Sequence, residues 1–170
     1  IDIDGQGGHG AEPHRAADPI PAAVAMVQAI NSILARNVSA LDRLVISVTE
    51  VHAGTSHNII PGTAWLGGTV PSFSPEARDL AERRITEIAQ AQAQVFGCTA
   101  RLHYDRGYPA TINHPDQARF AAAVARDVVG ADRVNDACDP IMAAEDFAYL
   151  LQARPGAYLF LGQGDTPNCH

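Results

Sequence analysis

Leu44-Val45-Ile46-Ser47-Val48-Thr49-Glu50-Val51 is the stretch that decides the fold, together with the segment that follows it. Its β-branched residues predict a strand. A loop at residues 53–62 then leads to a second predicted strand at about residues 64–70. Two strands therefore follow one another with no helix between them.

Helical segments lie on both sides of this strand pair. Pro19 suits the first turn of a helix, where a missing N–H costs little, and apolar residues recur at helical spacing from there to about Arg36. Ser74 and Pro75 are typical of an N-cap and a first helical residue. They open a second predicted helix, which ends at Gly97.

Two shorter strands complete the pattern. Residues 1–5 alternate apolar and acidic side chains, and residues 99–104 read as a further strand. The order is therefore β-α-β-β-α-β, the split βαβ arrangement of ferredoxin-like folds. We expect an α+β domain over residues 1–110, in which two helices cover one face of a four-stranded antiparallel sheet.

Residues 111–170 are expected to belong to a second domain. A helix is predicted where three apolar residues recur at four-residue spacing, at Phe120, Val124 and Val128. A short helix is expected at residues 144–152 and a strand at residues 158–161. Because so short a segment cannot bury a core of its own, we expect an incomplete α/β segment whose other half lies elsewhere.

The composition excludes several function classes. The net charge is −7, without a basic run, which argues against nucleic acid as a partner. No apolar run approaches the roughly 20 residues of a membrane-spanning helix. Three scattered cysteines without a framework favour the reducing cytoplasm. Because the chain opens on a strand-like segment and lacks an initiating Met, we expect that it is cut from a longer protein.

The stretch Gly7-Gly8-His9-Gly10-Ala11-Glu12-Pro13-His14 is the first candidate for chemistry. Glycines permit tight turns and close backbone approach. A His9 imidazole on such a turn can donate a hydrogen bond to a developing oxyanion, but it can equally be a surface histidine. His14 can simply be solvated, and the two histidines alone do not supply the three or four ligands that zinc requires.

Polar residues in three other places are candidates. Asn58 lies between the two central strands, where its amide can bind a substrate carbonyl or carboxylate, or serve as a turn residue. Glu145 and Asp146 can do acid–base work or support a metal shell, although acidic residues also suit a helix's first turn. Cys169 and His170 are ligand-type residues without a visible partner.

Several motifs occur in a fixed order along the chain. Besides residues 7–14, they are Asp18-Pro19-Ile20, Gly54 with Asn58-Ile59-Ile60-Pro61, Gly67-Gly68-Thr69-Val70, Tyr108-Pro109 with Asn113, Met142 with Glu145-Asp146-Phe147, and Pro155-Gly156-Ala157-Tyr158 before Leu161-Gly162. In this order they resemble the metal-dependent amidohydrolase family of hippurate hydrolases, N-acyl amino acid amidohydrolases, auxin-conjugate hydrolases and related carboxypeptidases. The resemblance spans the whole chain.

This resemblance implies a two-domain enzyme that hydrolyses the amide bond of N-acyl amino acids. Its catalytic domain holds two divalent metal ions, zinc or manganese, and a smaller ferredoxin-like lid forms the homodimer. Residues 1–110 would be the lid, and residues 111–170 a C-terminal portion of the catalytic domain.

The resemblance also implies roles for individual residues. His9 would reach the partner subunit's active site and stabilise the tetrahedral intermediate. Asn58 and His14 would bind the substrate, and Glu145 and Asp146 would support the metal site.

The chain departs from the family pattern in three respects. The metal ligands and the glutamate base lie upstream of this segment in the family. His170 lies near the place of the last histidine ligand, without its flanking residues, and Pro71 stands where an arginine would grip the substrate carboxylate. We therefore expect the chain alone to bind no metal and to be inactive. A non-catalytic ferredoxin-like module for dimerisation or ligand binding stays open.

Overall fold

The computed structural model describes residues 1–143, 145–162 and 164. The chain divides into two compact units, one from Ile1 to Arg106 and one that begins at Gly107. Each unit has its own secondary structure.

The first unit, all of which the structure describes, contains six strands and two α-helices. In chain order these are β1 (Asp2–Asp4), β2 (Gly8–His9), α1 (Pro19–Arg36), β3 (Ser47–Ala53), β4 (Ile59–Ile60), β5 (Thr63–Thr69), α2 (Pro75–Val95) and β6 (Thr99–Arg101). A 3-10 turn, Pro13–Arg15, lies between β2 and α1. The pattern of the sequence does not predict β2 and β4, which have two residues each.

Four strands form one antiparallel sheet in the order β3-β5-β1-β6. The central strand β1 pairs with β5 on one side and with β6 on the other, so Ile3 lies opposite both Ala64 and Ala100. β3 begins at Ser47, and Leu44, its predicted start, makes only an isolated bridge to Ser72. The expectation of a four-stranded antiparallel sheet is confirmed, and the unit is α+β.

The helices begin at capped ends. Asp18 Oδ1 accepts a hydrogen bond from the N–H of Ile20 at 2.9 Å at the start of α1. Ser74 Oγ accepts from the N–H of Ala77 at 3.0 Å at the start of α2, so the predicted N-cap is confirmed. Each cap satisfies one of the backbone donors that a helix N-terminus leaves without an internal partner.

The core of this unit lies between the helices and the sheet. α1 packs against α2, and both helices contact strands of the sheet. Ile3 of β1 and Met26, Ile30 and Ile33 of α1 are at most 2% exposed. Since burial of one such side chain contributes about 1.5–3 kcal/mol, the loops that leave β1 and β3 start from a well-packed scaffold.

The described part of the second unit contains α3 (Pro115–Val129), a 3-10 turn (Ala131–Arg133) and α4 (Phe147–Ala153). The prediction of α3 is confirmed. α4 begins three residues after its predicted start, and Ala144 itself lies outside the described residues.

The strand predicted at residues 158–161 is wrong, because these residues belong to no ladder. The side chain of Asn113 bonds to the backbone of Tyr158 instead. Its Oδ1 accepts from the Tyr158 N–H at 2.7 Å, and its Nδ2 donates to the Tyr158 carbonyl at 2.9 Å. One carboxamide thus takes both backbone groups that a neighbouring strand would have paired.

Few apolar side chains of the second unit are buried. Among its described residues, Ala122, Ala148 and Leu151 are the buried hydrophobic ones. The apolar row that predicts α3 is exposed, by 71% at Phe120, 45% at Val124 and 76% at Val128. In the described ranges, no helix has both the length and the apolar character needed to cross a membrane.

Candidate functional site

The glycine-rich stretch forms a closed loop at the end of β1. Gln6 and Ala17 make an isolated bridge, in which the Gln6 N–H donates to the Ala17 carbonyl at 2.8 Å and the Ala17 N–H donates back at 2.9 Å. Gly5 donates to the carbonyl of Gly62 at 2.8 Å. These bonds hold both ends of the loop and set it beside the β4–β5 connection.

A two-stranded ribbon joins this loop to the segment that contains Asn58. β2 pairs antiparallel with β4, with Gly8 opposite Ile60 and His9 opposite Ile59. The N–H of Gly10 then donates to the carbonyl of Asn58 at 2.8 Å. The ribbon brings His9 and Asn58, two of the predicted site residues, to neighbouring but not directly facing positions.

The glycines are required here for close approach. A Cβ on Gly7 would lie 2.9 Å from the carbonyl oxygen of Ile60, and one on Gly10 would lie 3.1 Å from that of Asn58. Neither residue has a positive φ. The glycines therefore allow two backbones to touch, and unusual torsion angles are not the reason for them.

One ring nitrogen of the exposed His9 accepts a hydrogen bond, and the other has no hydrogen-bond partner among the described residues. The N–H of Ala11 donates to His9 Nδ1 at 3.1 Å, and the N–H of Glu12 donates to the His9 carbonyl at 2.8 Å. Because Nδ1 accepts, the proton of the neutral ring lies on Nε2. The exposed edge of His9 is therefore a hydrogen-bond donor.

The carboxamide of Asn58 is oriented by a neighbour that the sequence analysis did not single out. Ser56 Oγ donates to Asn58 Oδ1 at 2.6 Å. The Oδ1 therefore faces Ser56, and the NH₂ group faces away from it. Serine two residues from an asparagine is a common turn pattern, which was the only signal in the sequence.

His14 lies apart from this pair in its bonding. It belongs to the exposed 3-10 turn Pro13–Arg15. Its neighbours Glu12 and Arg15 form a weak surface ion pair at 3.5 Å. Within the described residues, no hydrogen bond links His14 to His9 or Asn58, so its role as a substrate ligand stays a prediction.

Glu145 and Asp146 precede α4 in the second unit. The carbonyls of Glu145 and Asp146 accept from the N–H groups of Ala148 and Tyr149 at 3.2 and 3.0 Å. The ring of Tyr158 lies 5.5 Å from that of Phe147, the first residue of α4. Desolvation, followed by interaction with Glu145, raises the pKa of Tyr158. The start of α4 thus contacts the segment that was expected to be a strand.

The described residues do not form a metal centre. No group of three or more His, Cys, Asp or Glu side chains that could hold a metal ion occurs in the part of the chain that the structure describes. His170 and Cys169 lie outside that part. The role of Glu145 and Asp146 beside a metal therefore stays a prediction.

The segment around Pro71 is paired by backbone hydrogen bonds with residues 43–45. The Pro71 carbonyl accepts from the N–H of Val45 at 3.0 Å, and the N–H of Phe73 donates to the Arg43 carbonyl at 3.2 Å. The Arg43 guanidinium lies 6.0 Å from the centre of the Phe73 ring, within the range of a cation–π contact. The segment that pairs with residues 71–73 therefore contains an arginine, although position 71 does not.

Comparison with known proteins extends this picture. Residues 7–170 match the family model for peptidase family M20/M25/M40. An N-acetyldiaminopimelate deacetylase of Lactococcus lactis subsp. cremoris is 38% identical over 167 residues, which are 98% of this chain and 44% of that protein. A hippurate hydrolase of Campylobacter jejuni subsp. jejuni is 34% identical over 161 residues, which are 95% of this chain and 42% of that protein.

A solved structure is similar as well. The Bacillus subtilis YXEP protein, described as a dinuclear metal-binding peptidase, matches with a TM-score of 0.63 and 28% identity. The match covers 91% of this chain and 38% of that one. The chain thus spans less than half the length of the relatives that it matches.

Proposed function

The chain belongs to the peptidase family M20/M25/M40, and from that premise we propose that it is part of a metal-dependent amidohydrolase that cleaves N-acyl amino acids. The observation that carries the proposal is the ribbon of β2 and β4. It holds His9 beside Asn58, although 49 positions, from 9 to 58, separate them in the sequence. A pair of outward N–H donors suits a substrate that has both an amide carbonyl and a carboxylate.

His9 is the proposed catalytic residue. When the amide carbonyl is attacked, negative charge develops on its oxygen, and a fixed donor stabilises that charge more than it stabilises the ground state. The Nε2–H of His9 is such a donor, because the Ala11 N–H keeps Nδ1 as the acceptor. Asn58 and His14 are the proposed substrate-binding residues.

Glu145 and Asp146 are proposed to support a metal site without completing it. The described residues do not fit a whole two-metal centre. The two divalent ions of the proposed enzyme, zinc or manganese, would therefore be held mainly by residues outside the described part of this chain. The steps assigned to this chain involve its own side chains alone.

The first unit is proposed to be a ferredoxin-like lid that forms a homodimer. The element order and the sheet order β3-β5-β1-β6 support the ferredoxin-like assignment. Residues 111–170 are proposed to be the C-terminal portion of the catalytic domain, which is consistent with the exposed apolar row on α3. A cytoplasmic location stays a prediction.

Replacement of His9 by alanine in the full-length protein tests the proposed chemistry. We expect kcat for an N-acyl amino acid, assayed with added zinc or manganese, to fall by about 10²–10³, the usual effect of the loss of one oxyanion donor. His52→Ala is the matched control, because His52 is an exposed histidine of the same unit whose ring bonds Glu50 and contacts Trp65. Unchanged turnover in His9→Ala would defeat the oxyanion role.

Mixing tests the assignment of His9 to the partner subunit. Inactive His9→Ala is combined with an inactive variant that lacks the metal ligands of the full-length protein. Activity should return in mixed dimers if His9 acts across subunits. Absence of complementation, with mixed dimers demonstrated, would exclude that arrangement.

A non-catalytic module is the second candidate function. Pro71 and the absence of a metal cluster among the described residues favour it. Sedimentation and metal analysis of the 170-residue chain, with the amidase assay of the full-length protein, separate the two. A stable, metal-free dimer without any amidase activity in the full-length protein would support the module.

A further inference from the structure

We propose that Ser56 is a positioning residue, which turns the carboxamide of Asn58 so that the ribbon presents only N–H donors to a ligand. The proposal rests on the proposed function and names a feature of substrate recognition at the same site. The ligand group recognised would be an oxygen acceptor, a carbonyl or a carboxylate.

The contact of Ser56 with Asn58 sets the polarity of the amide. A carboxamide has an acceptor end and a donor end of nearly equal size, so its direction is decided by the hydrogen bonds it makes. A serine hydroxyl at 2.6 Å from Asn58 Oδ1 is a donor to that oxygen. The two N–H bonds of Nδ2 therefore face away from Ser56.

The backbone fixes where this carboxamide lies. The Asn58 carbonyl accepts from Gly10 at 2.8 Å, and the next residue, Ile59, pairs with His9. Rotation of the side chain is thus the main freedom that is left to Asn58. Ser56 removes that freedom from within the same turn.

His9 is oriented to the same effect by a different group. Its Nδ1 accepts from the Ala11 N–H at 3.1 Å, which leaves Nε2–H as the outward atom. Both side chains therefore face a ligand with donors. These two donors can hydrogen-bond the carbonyl and carboxylate oxygens of an N-acyl amino acid, and they disfavour the ammonium group of a free peptide N-terminus.

NMR of the 170-residue chain tests the orientation without reference to activity. In the wild type we expect weak cross-peaks between the Asn58 NH₂ protons and the β protons of Ser56, because Nδ2 faces away. In Ser56→Ala the chemical shifts of the NH₂ protons should change to values averaged over several side-chain rotamers of Asn58. Ser56→Thr, which keeps the hydroxyl, should restore the wild-type shifts. Strong wild-type cross-peaks, or signals that do not respond to Ser56→Ala, would overturn the proposal.

Ser32→Ala is the matched control. Ser32 is an exposed serine whose hydroxyl bonds the carbonyl of Ala29 in α1. Ser32→Ala removes this one local hydrogen bond, and among the described residues no hydrogen bond links the Ser32 side chain to the ribbon. The Asn58 NH₂ signals should stay as in the wild type.

Kinetics of the full-length protein test the consequence for the substrate. Ser56→Ala should raise KM for an N-acyl amino acid about 2- to 10-fold, the effect of one neutral hydrogen bond, with kcat little changed and Ser56→Thr close to wild type. An unchanged KM would refute the positioning role. If the wild type cleaves no N-acyl amino acid, the proposed function fails, while the NMR result still decides the orientation of Asn58.

Discussion

Replacement of Gly7 by alanine should open the ribbon that holds His9. A Cβ at this position would lie 2.9 Å from the carbonyl oxygen of Ile60 and 3.1 Å from the backbone nitrogen of Gly62. Both neighbours are backbone atoms of the β4–β5 connection, so neither can rotate out of the way. The added methyl group must therefore push the two backbones apart.

The structure sets the size of this effect. The overlap is several tenths of an ångström in a packed backbone contact, and overpacking of this kind costs about 1–3 kcal/mol. Since about 1.36 kcal/mol corresponds to a factor of ten, local opening of the ribbon should become about 5- to 150-fold more frequent. The amide of Gly10, which donates to Asn58 at 2.8 Å, reports this opening.

Amide hydrogen exchange by NMR is the measurement. The exchange rate of the Gly10 amide in Gly7→Ala should rise by that factor, while amides in the middle of α1 should keep wild-type rates. Gly62→Ala is the matched control. Its Cβ would lie 3.7 Å from the Gly7 nitrogen, an ordinary contact, and it has the same effect on the entropy of the unfolded chain. Equal Gly10 exchange in the two variants would refute the reasoning.

Two further predictions concern stability. Asp18→Ala should lower the free energy of unfolding by about 1 kcal/mol, because Asp18 caps α1. Urea denaturation checks this, with Asp18→Asn, which keeps a capping oxygen, as the control. Full stability in Asp18→Ala together with reduced stability in Asp18→Asn would contradict the prediction. Tyr104 has a buried hydroxyl without a partner among the described residues, and desolvation, then Glu82, raises its pKa. Tyr104→Phe should therefore stabilise the chain by about 1 kcal/mol. In the wild type, the free energy of unfolding does not depend on the ionisation of Tyr104 below a pH of about 10, and it falls as the pH rises from there through the raised native pKa. A Tyr104→Phe chain with the same alkaline dependence would argue against this reasoning.

Local sequence signals predicted most of the secondary structure of the first unit. Ser74 and Pro75 mark the start of α2, because the serine hydroxyl accepts from one unpaired N–H of the first turn and proline has no N–H to leave unpaired. The β-branched residues at positions 44–51 mark β3, which the structure places at Ser47–Ala53. Such signals act over a few positions, so they can be read without the fold.

Pairings between distant segments could not be predicted in this way. The ribbon of Gly8–His9 with Ile59–Ile60 consists of two residues on each side, which is too short for any periodic pattern. The predicted strand at residues 158–161 failed for the converse reason, since the Asn113 side chain takes the place of a neighbouring strand. In both cases a non-local contact decides the local structure.

The sequence by itself determined the α+β class of the first unit, the Ser74 cap of α2 and the identity of His9 and Asn58 as candidates. The tertiary structure decided that these two residues are neighbours, that His9 exposes Nε2–H and that Asn58 is turned by Ser56. The physical reason is that residue types carry the chemistry, whereas the direction of a donor depends on hydrogen bonds that only the folded backbone brings within reach.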